Sequence, residues 1–259
     1  MITASLRAKI PRGLKDRYAR AMATRIKNPK LNYLRLWLIE FQFRQSTPRY
    51  FGQTAEDAIL KLYLPETNGF YLDVGAGRPI VGSNTFALYL RGWTGICVDP
   101  ISENARLLKS FRRKDQVLNI LIGPNKSNIN FWEFEPYQYS TVDESVAEKV
   151  KKYTGVCLLN YSKKAVEPLS AIAPKLSPFD ATLLSIDVEG FDLEVLKSND
   201  WSVFLPRVIC IEEWEETMNE HLSSTIGDFL ANYNYKRVAW TGLSSIFVEK
   251  SYLGSMAKL

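Results

Sequence analysis

Two acidic residues and two glycines mark the first candidate ligand site. The apolar stretch that begins at Phe70 contains Asp73 and runs into Gly75 and Gly77. This pattern is typical of a buried parallel strand whose chain turns tightly beside a ligand. A second apolar stretch ends at Asp99, about 24 residues after the first glycine, the spacing that places an acid near a ribose hydroxyl in a doubly wound sheet. We therefore predict that the two strand ends bind one adenosine-containing ligand.

The residues around these glycines argue against a dinucleotide. A dinucleotide-binding loop has a third glycine three residues after the second, which seats a helix whose N-terminus binds pyrophosphate. Ile80 occupies that position here. Asp73 also places a negative charge two residues before the first glycine, where it would repel pyrophosphate but attract ammonium and sulfonium groups. The pattern favours S-adenosylmethionine, and an ordinary strand followed by a glycine turn is the alternative without function.

Further acids follow apolar stretches in the second half of the chain. Asp187 and Glu189 follow one such stretch, and Glu212 and Glu213 follow the next. Ligands of open α/β sheets bind outside the carboxyl ends of the strands, near the point where the strand order reverses. We therefore expect Asp187, Glu189 and Glu212 to face the same crevice as Asp73.

The elements that must position these acids alternate between strands and helices. From residue 70 to about residue 122 the order is strand, helix, strand, helix, strand, which predicts a parallel sheet with right-handed crossovers. Residues 129–134 alternate like an extra strand, residues 154–166 predict a short hairpin and residues 168–176 a short helix. Strands over 235–240 and 244–250 predict a terminal antiparallel hairpin.

Composition indicates one large α/β domain with an appendage. The 259 residues are 46% hydrophobic, enough for a full core. The three cysteines, Cys97, Cys157 and Cys210, are far apart, so neither a metal-thiolate site nor a disulfide framework is indicated. No apolar run is long enough to span a membrane and no signal-like segment is present. These features together favour a cytoplasmic protein.

The basic charge is concentrated in the N-terminal part of the chain. Residues 1–49 contain 12 Lys or Arg and two acids, a net charge of +10, so that the remainder carries −5. We predict a basic, helical extension over 1–48 and a ligand-binding domain over 49–259. The apolar stretch 31–43 could bind the inner face of an anionic membrane or an acidic partner. Alternatively it is a helix packed on the domain or across a homodimer. The acidic remainder argues against nucleic acid.

Six short motifs occur in an order that resembles the FkbM-type methyltransferase family, over about residues 51–249. The motifs are Gly52-Gln-Thr-Ala-Glu-Asp-Ala-Ile-Leu60, Asp73-Val-Gly-Ala-Gly77 with Ser83-Asn-Thr85, Arg91-Gly-Trp-Thr-Gly-Ile96 leading to Asp99, Asp187-Val-Glu-Gly190, Val195-Leu-Lys-Ser-Asn-Asp-Trp201 and Leu243-Ser-Ser-Ile-Phe-Val248. The terminal hairpin likewise resembles class I methyltransferases. The expected fold is therefore an α/β, Rossmann-like class I methyltransferase fold: a seven-stranded mixed sheet with a C-terminal antiparallel hairpin, plus the N-terminal helical extension.

The resemblance implies S-adenosylmethionine-dependent O-methylation of a sugar hydroxyl, in glycan, polysaccharide, glycolipid or natural-product biosynthesis. By position, Asp73, Gly75 and Asn84 would line the methionine end of the cofactor, and Asp99 would hold its ribose. Gly77 and Asp187 are further expected cofactor contacts. Arg78-Pro79 follows the second glycine, where other members vary.

Transfer of a methyl group to an alcohol requires removal of the hydroxyl proton, either by a general base or with the help of a divalent cation. Asp187, Glu189 and Glu212 have the residue type for either role, and His221, the sole histidine, is a further candidate base or a structural residue. Asp187, Glu212 and Glu213 resemble the metal ligands of catechol O-methyltransferase. Magnesium is therefore a second expected cofactor.

Alternative functions remain open at this point. The stretch from Asp187 to Gly190 does not fit the motif of amino-methyltransferases that act on DNA bases, and no Pro-Cys nucleophile for cytosine methylation is present. The fold could act as a scaffold for a glycosyltransferase or membrane partner, or methylate a small molecule that is not a sugar. Glu56 and Asp57 could face a ligand or only complement a helix dipole, and residues 135–141 could cover an active site.

Overall fold

The structure is a computed structural model that describes residues 30–35, 50–153, 155–173, 181–213 and 224–256. The chain divides into two compact units, Met1–Arg49 and Tyr50–Leu259. In the first unit only residues 30–35 are described, and they are helical. The rest of the basic extension, the helix expected around Trp37, and His221 lie outside the described residues. None of the helices in the described ranges is long and apolar enough to cross a membrane.

The second unit is built on a seven-stranded mixed sheet in the order β3-β2-β1-β7-β8-β10-β9. The seven strands, numbered in chain order, are β1 (Phe70–Val74), β2 (Thr94–Val98), β3 (Gln116–Leu118), β7 (Thr182–Ile186), β8 (Val208–Glu212), β9 (Tyr235–Trp240) and β10 (Ser244–Glu249). The first five are parallel, and β10 runs antiparallel to both β8 and β9. This confirms the Rossmann-like class I fold with a C-terminal antiparallel hairpin.

Short helices connect the strands and cover the sheet. In chain order they are α1 (Glu56–Tyr63), α2 (Phe86–Leu90), α3 (Ser102–Phe111), α4 (Glu144–Val150), α5 (Leu169–Ile172), α6 (Asp192–Lys197), α7 (Thr225–Ala231) and α8 (Lys250–Met256), and a 3-10 helix spans Tyr137–Tyr139. The Ser83 hydroxyl accepts a hydrogen bond from the Phe86 backbone N–H at 3.1 Å, so Ser83 caps α2 as its residue type favours. The sequence analysis did not predict helix α8.

A second, three-stranded sheet lies between β3 and β7 in the chain. It consists of β4 (Leu121–Ile122), β5 (Ser127–Glu135) and β6 (Cys157–Glu167), in the order β4-β6-β5. The predicted third strand therefore breaks after Leu118, and residues 121–122 join this sheet instead. The hairpin predicted over 154–166 was wrong, because residues 157–167 form one long strand whose antiparallel partner is β5.

The register of the central strands brings the site residues to one edge. On β1, Asp73 is in register with Cys97 of β2 and with Ser185 of β7. The side chains of β1 alternate between two buried clusters: Leu72 and Val74 belong to one, and Tyr71 to the other. Burial of each large apolar side chain contributes roughly 1.5–3 kcal/mol. The sheet is thus buried on both faces, and its polar residues are concentrated at the carboxyl ends of the strands.

Candidate active site

The ends of β1 and β7 approach so closely that only glycine fits between them. A Cβ atom on Gly75 would lie 1.8 Å from the backbone carbonyl oxygen of Asp187, and the φ angle of Gly75 is +77°. The Asp187 N–H donates to the Val74 carbonyl at 3.0 Å, and the N–H of Gly75 donates to the Val98 carbonyl at 2.9 Å. The glycine loop is therefore fastened to both neighbouring strands.

Asp73 is buried beneath this loop and is held by a hydroxyl. Thr85 Oγ1 donates to Asp73 Oδ2 at 2.5 Å and accepts from Arg112 Nη2 at 3.0 Å. Arg112 is fully buried, and its Nε pairs with Asp115 at 2.8 Å. Burial raises the pKa of Asp73, and the hydrogen bond from Thr85 partly offsets that rise. Arg112 therefore acts on Asp73 through Thr85.

Asp99 closes the other side of the loop. Its Oδ2 accepts from the Gly77 N–H at 2.8 Å and from Asn104 Nδ2 at 3.3 Å, and its Oδ1 accepts from the Ile101 N–H at 2.8 Å. Burial raises the pKa of Asp99 to about 7. These three donors use most of the roughly four acceptor positions of a carboxylate, so that about one remains for a ligand hydroxyl.

Asn84, in the segment that follows β1, reaches β7 with its side chain. Its Nδ2 donates to the hydroxyl of Ser185 at 3.5 Å. That hydroxyl is also close enough to Asp73 to lower its pKa through a hydrogen bond. Asn84 and Asp73 thus reach the same part of the crevice from different elements.

Asp187 and Glu212 form a hydrogen-bonded acid pair at the ends of β7 and β8. Burial and the neighbouring Glu212 raise the pKa of Asp187 well above its usual range. Burial, followed by the charges of Glu189 and Asp192, raises the pKa of Glu212 to about 7, and its hydrogen bond with Asp187 opposes that rise. Gln53 Nε2 donates to Asp187 Oδ2 at 3.4 Å. The pKa values of both carboxyl groups are therefore raised, and interacting acids of this kind titrate as a pair rather than singly.

Glu189 has a sparsely populated backbone conformation beside this pair. Its φ angle is +55°, in the left-handed region that is unusual for a residue other than glycine. Burial, followed by the charge of Asp192, raises the pKa of its carboxyl group. Strained residues of this kind concentrate at functional sites, where the surrounding structure imposes them.

Glu213 does not belong to this acid group. Its carboxylate accepts from Arg237 Nη2 at 2.9 Å and from the Ser245 hydroxyl, because successive strand residues point to opposite faces of a sheet. Asp187, Glu212 and Glu213 therefore do not form the expected ligand set. Among the described residues no group of three or more His, Cys, Asp or Glu side chains is arranged to hold a metal ion. The magnesium prediction therefore has no support among the described residues.

Glu56 supports the crevice from the opposite side. Its carboxylate accepts from the Thr54 N–H at 2.9 Å and from the hydroxyls of Thr241 and Ser244 at 3.3 Å. Asp57 Oδ2 similarly accepts from the Phe51 N–H at 2.9 Å. Both acids thus fix the loop that carries Gln53, rather than face a ligand.

A cavity of about 350 Å³ lies beside the glycine loop. Its lining residues are Gln53, Arg78, Val81, Gly82, Glu135, Pro136, Tyr137 and Gln138. The Tyr137 ring lies 5.5 Å from the guanidinium carbon of Arg78, and burial raises the pKa of its hydroxyl. Tyr137 and Gln138 belong to the segment expected to cover the site.

The match to known proteins agrees with this geometry. A family model described as the methyltransferase FkbM domain matches residues 73–237. The chain belongs to this family. Membership makes it an S-adenosylmethionine-dependent methyltransferase, and the matched range contains Asp73, Asp99, Asp187 and Glu212. No curated protein sequence matches the chain significantly.

Three solved structures are similar to this FkbM domain protein. A TehB-like SAM-dependent methyltransferase from Corynebacterium glutamicum is 11% identical, with a TM-score of 0.42 over 85% of this chain and 97% of that chain. A 1,6-didemethyltoxoflavin-N1-methyltransferase from Burkholderia thailandensis is 14% identical, with a TM-score of 0.39 over 90% and 88%. Monomeric WbdD is 12% identical, with a TM-score of 0.38 over 80% and 43%.

The residues of the FkbM domain fit S-adenosylmethionine. A Cβ atom on Gly77 would be only in ordinary van der Waals contact, 3.8 Å from the Gly75 carbonyl oxygen and the Tyr137 hydroxyl. Asp73, Asp99 and Asp187 all have raised pKa values because they are buried. A ligand with an ammonium and a sulfonium group would favour their ionised forms. Asp73 and Asn84 would hold the methionine end and Asp99 the ribose.

Sequence reasoning missed several of the residues that shape this FkbM site. Arg112 reads as a basic residue at the end of a surface helix, yet it is fully buried. Gln53 and Tyr137 lie far from the acids in sequence and meet them only through folding. The motif that contains Gln53 and the density of aromatic residues around Tyr137 were the available signals.

Proposed function

We propose that the protein transfers a methyl group from S-adenosylmethionine to a hydroxyl group of a sugar. The observation that carries this proposal is the hydrogen-bonded pair of Asp187 and Glu212, at strand ends adjacent to the glycine loop. A base with a pKa near the working pH is the group that this reaction needs. The resemblance to FkbM proteins supports a sugar as the acceptor.

The acid pair removes the hydroxyl proton. An alcohol is a poor nucleophile while it keeps its proton. Bound S-adenosylmethionine would supply the methyl group, whose bond to sulfur would break as its bond to the alcohol oxygen forms, leaving S-adenosylhomocysteine. The ionised member of the Asp187 and Glu212 pair accepts the proton at a carboxylate oxygen. Gln53 donates to Asp187 at 3.4 Å, which helps to orient the pair.

The remaining residues position the reacting groups. The fastened glycine loop fixes the distance between Asp73 and Asp187, and alignment of the reacting atoms at about 3 Å is worth several orders of magnitude in rate. Tyr137 and Gln138 line one wall of the cavity and restrict the access of water. Gln53, Gln138 and Arg78 supply amide and guanidinium donors that suit sugar hydroxyl groups.

Binding and transfer assays test the proposal in sequence. Calorimetry is expected to detect binding of S-adenosylmethionine and S-adenosylhomocysteine but not NAD. Transfer of a labelled methyl group is then measured on a panel of sugars and glycans, with phenols, proteins and small RNA for comparison. Glu212→Gln is expected to bind the cofactor and to lose turnover, whereas Glu194→Gln, an exposed acid on α6, retains it. Binding of NAD alone, or full turnover by Glu212→Gln, would refute the proposal.

We further propose that the basic extension contacts an anionic membrane surface from the cytoplasmic side, because residues 1–49 carry a net charge of +10. Cosedimentation with vesicles containing phosphatidylserine tests this, with neutral vesicles as the control. Equal binding to both, or to neither, would contradict it. A homodimer through the same segment is the competing proposal, and sedimentation velocity distinguishes the two.

A further inference from the structure

Arg78 is held on a rigid part of the glycine loop. The Gly77 N–H that precedes it donates to Asp99 at 2.8 Å, and the Pro79 carbonyl that follows it accepts from Arg112 Nη1 at 3.4 Å. Proline at position 79 also restricts the backbone of Arg78 to extended conformations. The backbone of Arg78 is therefore fixed on both sides, which reduces the entropy that a ligand contact would cost.

Among the described residues, the guanidinium of Arg78 contacts an aromatic ring and no carboxylate. It stacks on Tyr137 with 5.5 Å between its central carbon and the ring centroid. Within the described ranges, no carboxylate lies within ion-pair distance of Arg78, although Glu135 lines the same cavity. A guanidinium has five N–H donors in a planar fork. In a half-buried position these donors are available to a ligand.

The cavity containing Arg78 differs from the part of the crevice that suits the cofactor. The three residues placed at the cofactor, Asp73, Asn84 and Asp99, do not line it. Its walls come from segments outside the parallel strands, namely the loop with Gln53 and the cover segment with Tyr137. The cavity therefore adjoins the cofactor part of the crevice at Gln53, which donates to Asp187 at 3.4 Å, while the residues assigned to the methionine end and the ribose do not line it.

We propose that Arg78 binds an acidic group, a carboxylate or phosphate, carried by the sugar acceptor. Guanidinium pairs with both groups through two parallel hydrogen bonds. The amides of Gln53 and Gln138 would bind neighbouring hydroxyls, and the ring of Tyr137 limits the position of the guanidinium. This inference rests on the proposed sugar methylation and narrows its substrate to acidic sugars.

Binding of simple probes to the S-adenosylhomocysteine complex tests the inference. The probes are D-glucuronate, D-glucose 6-phosphate and neutral D-glucose, titrated in ligand-observed NMR. The acidic probes are expected to bind the wild-type complex about tenfold more tightly than glucose, as a charged hydrogen-bonded pair provides. In Arg78→Gln this preference is expected to fall to about twofold or less. In Arg106→Gln, which removes the same charge from an exposed position on α3, it is expected to persist.

Several outcomes would overturn this assignment. One is equal binding of acidic and neutral probes to the wild-type complex, including the case in which none binds. Another is an Arg78→Gln variant that keeps the preference. If Arg78→Gln weakens S-adenosylmethionine about tenfold but leaves decarboxylated S-adenosylmethionine unchanged, Arg78 binds the carboxylate of the cofactor instead. Failure of the wild type to bind S-adenosylhomocysteine would refute the proposed function itself, so the two failures are distinguishable.

Discussion

Replacement of Gly75 by alanine tests whether the close approach of β1 and β7 builds the cofactor site. The new Cβ atom would lie 1.8 Å from the Asp187 carbonyl oxygen and 2.8 Å from its carbon. Since Cβ atoms essentially never approach closer than 3.0 Å, the two strand ends must separate by more than about 1 Å. A positive φ angle adds roughly 1–2 kcal/mol of strain for alanine.

A displacement of about 1 Å within a functional site lowers its activity on the order of 100-fold. We therefore expect Gly75→Ala to bind S-adenosylhomocysteine at least about 100-fold more weakly than the wild type. Gly155→Ala is the matched control, because Gly155 has a φ angle of +86° but nothing within 4 Å of its Cβ position. Gly155→Ala is expected to be destabilised only by backbone strain, which lowers its Tm by about 2–8 °C. Its affinity for S-adenosylhomocysteine is expected to equal that of the wild type.

Isothermal calorimetry measures the affinity and circular dichroism the Tm of both variants. The reasoning is refuted if Gly75→Ala binds S-adenosylhomocysteine within about threefold of the wild type. It is also refuted if Gly155→Ala loses as much affinity as Gly75→Ala, because backbone strain alone would then explain the effect.

Three further predictions concern other parts of the site. Thr85→Val removes the donor to Asp73 and is expected to lower the free energy of unfolding by about 1–3 kcal/mol and to weaken cofactor binding. Thr85→Ser is expected to keep both the stability and the affinity of the wild type. Denaturant titration and calorimetry measure the two quantities. Ala55→Gly relieves a φ angle of +67° and is expected to raise the Tm by about 2–4 °C, and an unchanged or lower Tm would contradict it. Methyl transfer is expected to rise with pH through about 7, because Glu212 must lose its proton. The contribution of Glu212 to the free energy of unfolding is expected to fall as the pH rises from its unfolded pKa to about 7, because the folded state binds that proton more tightly. Glu212→Gln should remove both dependences in pH–rate and pH–stability profiles.

Much of the sheet could be predicted because its strands have sharp boundaries in the sequence. The second apolar stretch, predicted to end at Asp99, forms β2 over Thr94–Val98, since Gly92 follows the preceding helix and Asp99 ends the apolar run. Strand β9 is found at Tyr235–Trp240, as predicted, because its boundaries are also sharp in the sequence. Local patterns of this kind determine element type and end points.

The second sheet could not be read from local patterns. The alternation in residues 129–134 indicated a strand, but its partner over residues 157–167 is about 30 positions away and most of its side chains are exposed. Pairing over such a separation depends on the folded context. The same limitation explains why residues 154–166 were assigned to a local hairpin.

The candidate site was predictable where it depends on strand ends. Asp73, Asp187 and Glu212 lie at one edge because parallel strands place their carboxyl ends together. Glu213 contacts Arg237 and Ser245 instead, as the alternation of side chains along a strand favours. The burial of Arg112 depends on its hydrogen bonds to Tyr71 of β1 and to Thr85, which its basic residue type does not reveal.

The hydrogen bonds of Glu56 determine when the crevice can form during synthesis. Its partners Thr241 and Ser244 lie 185 and 188 positions later in the chain. While the ribosome is still translating the intervening segment, the loop with Gln53 lacks the hydrogen bonds from Thr241 and Ser244 to Glu56. A nascent chain that stops before Ser244 would thus have its glycine loop without this support, so the crevice is completed only after Ser244 has been synthesised.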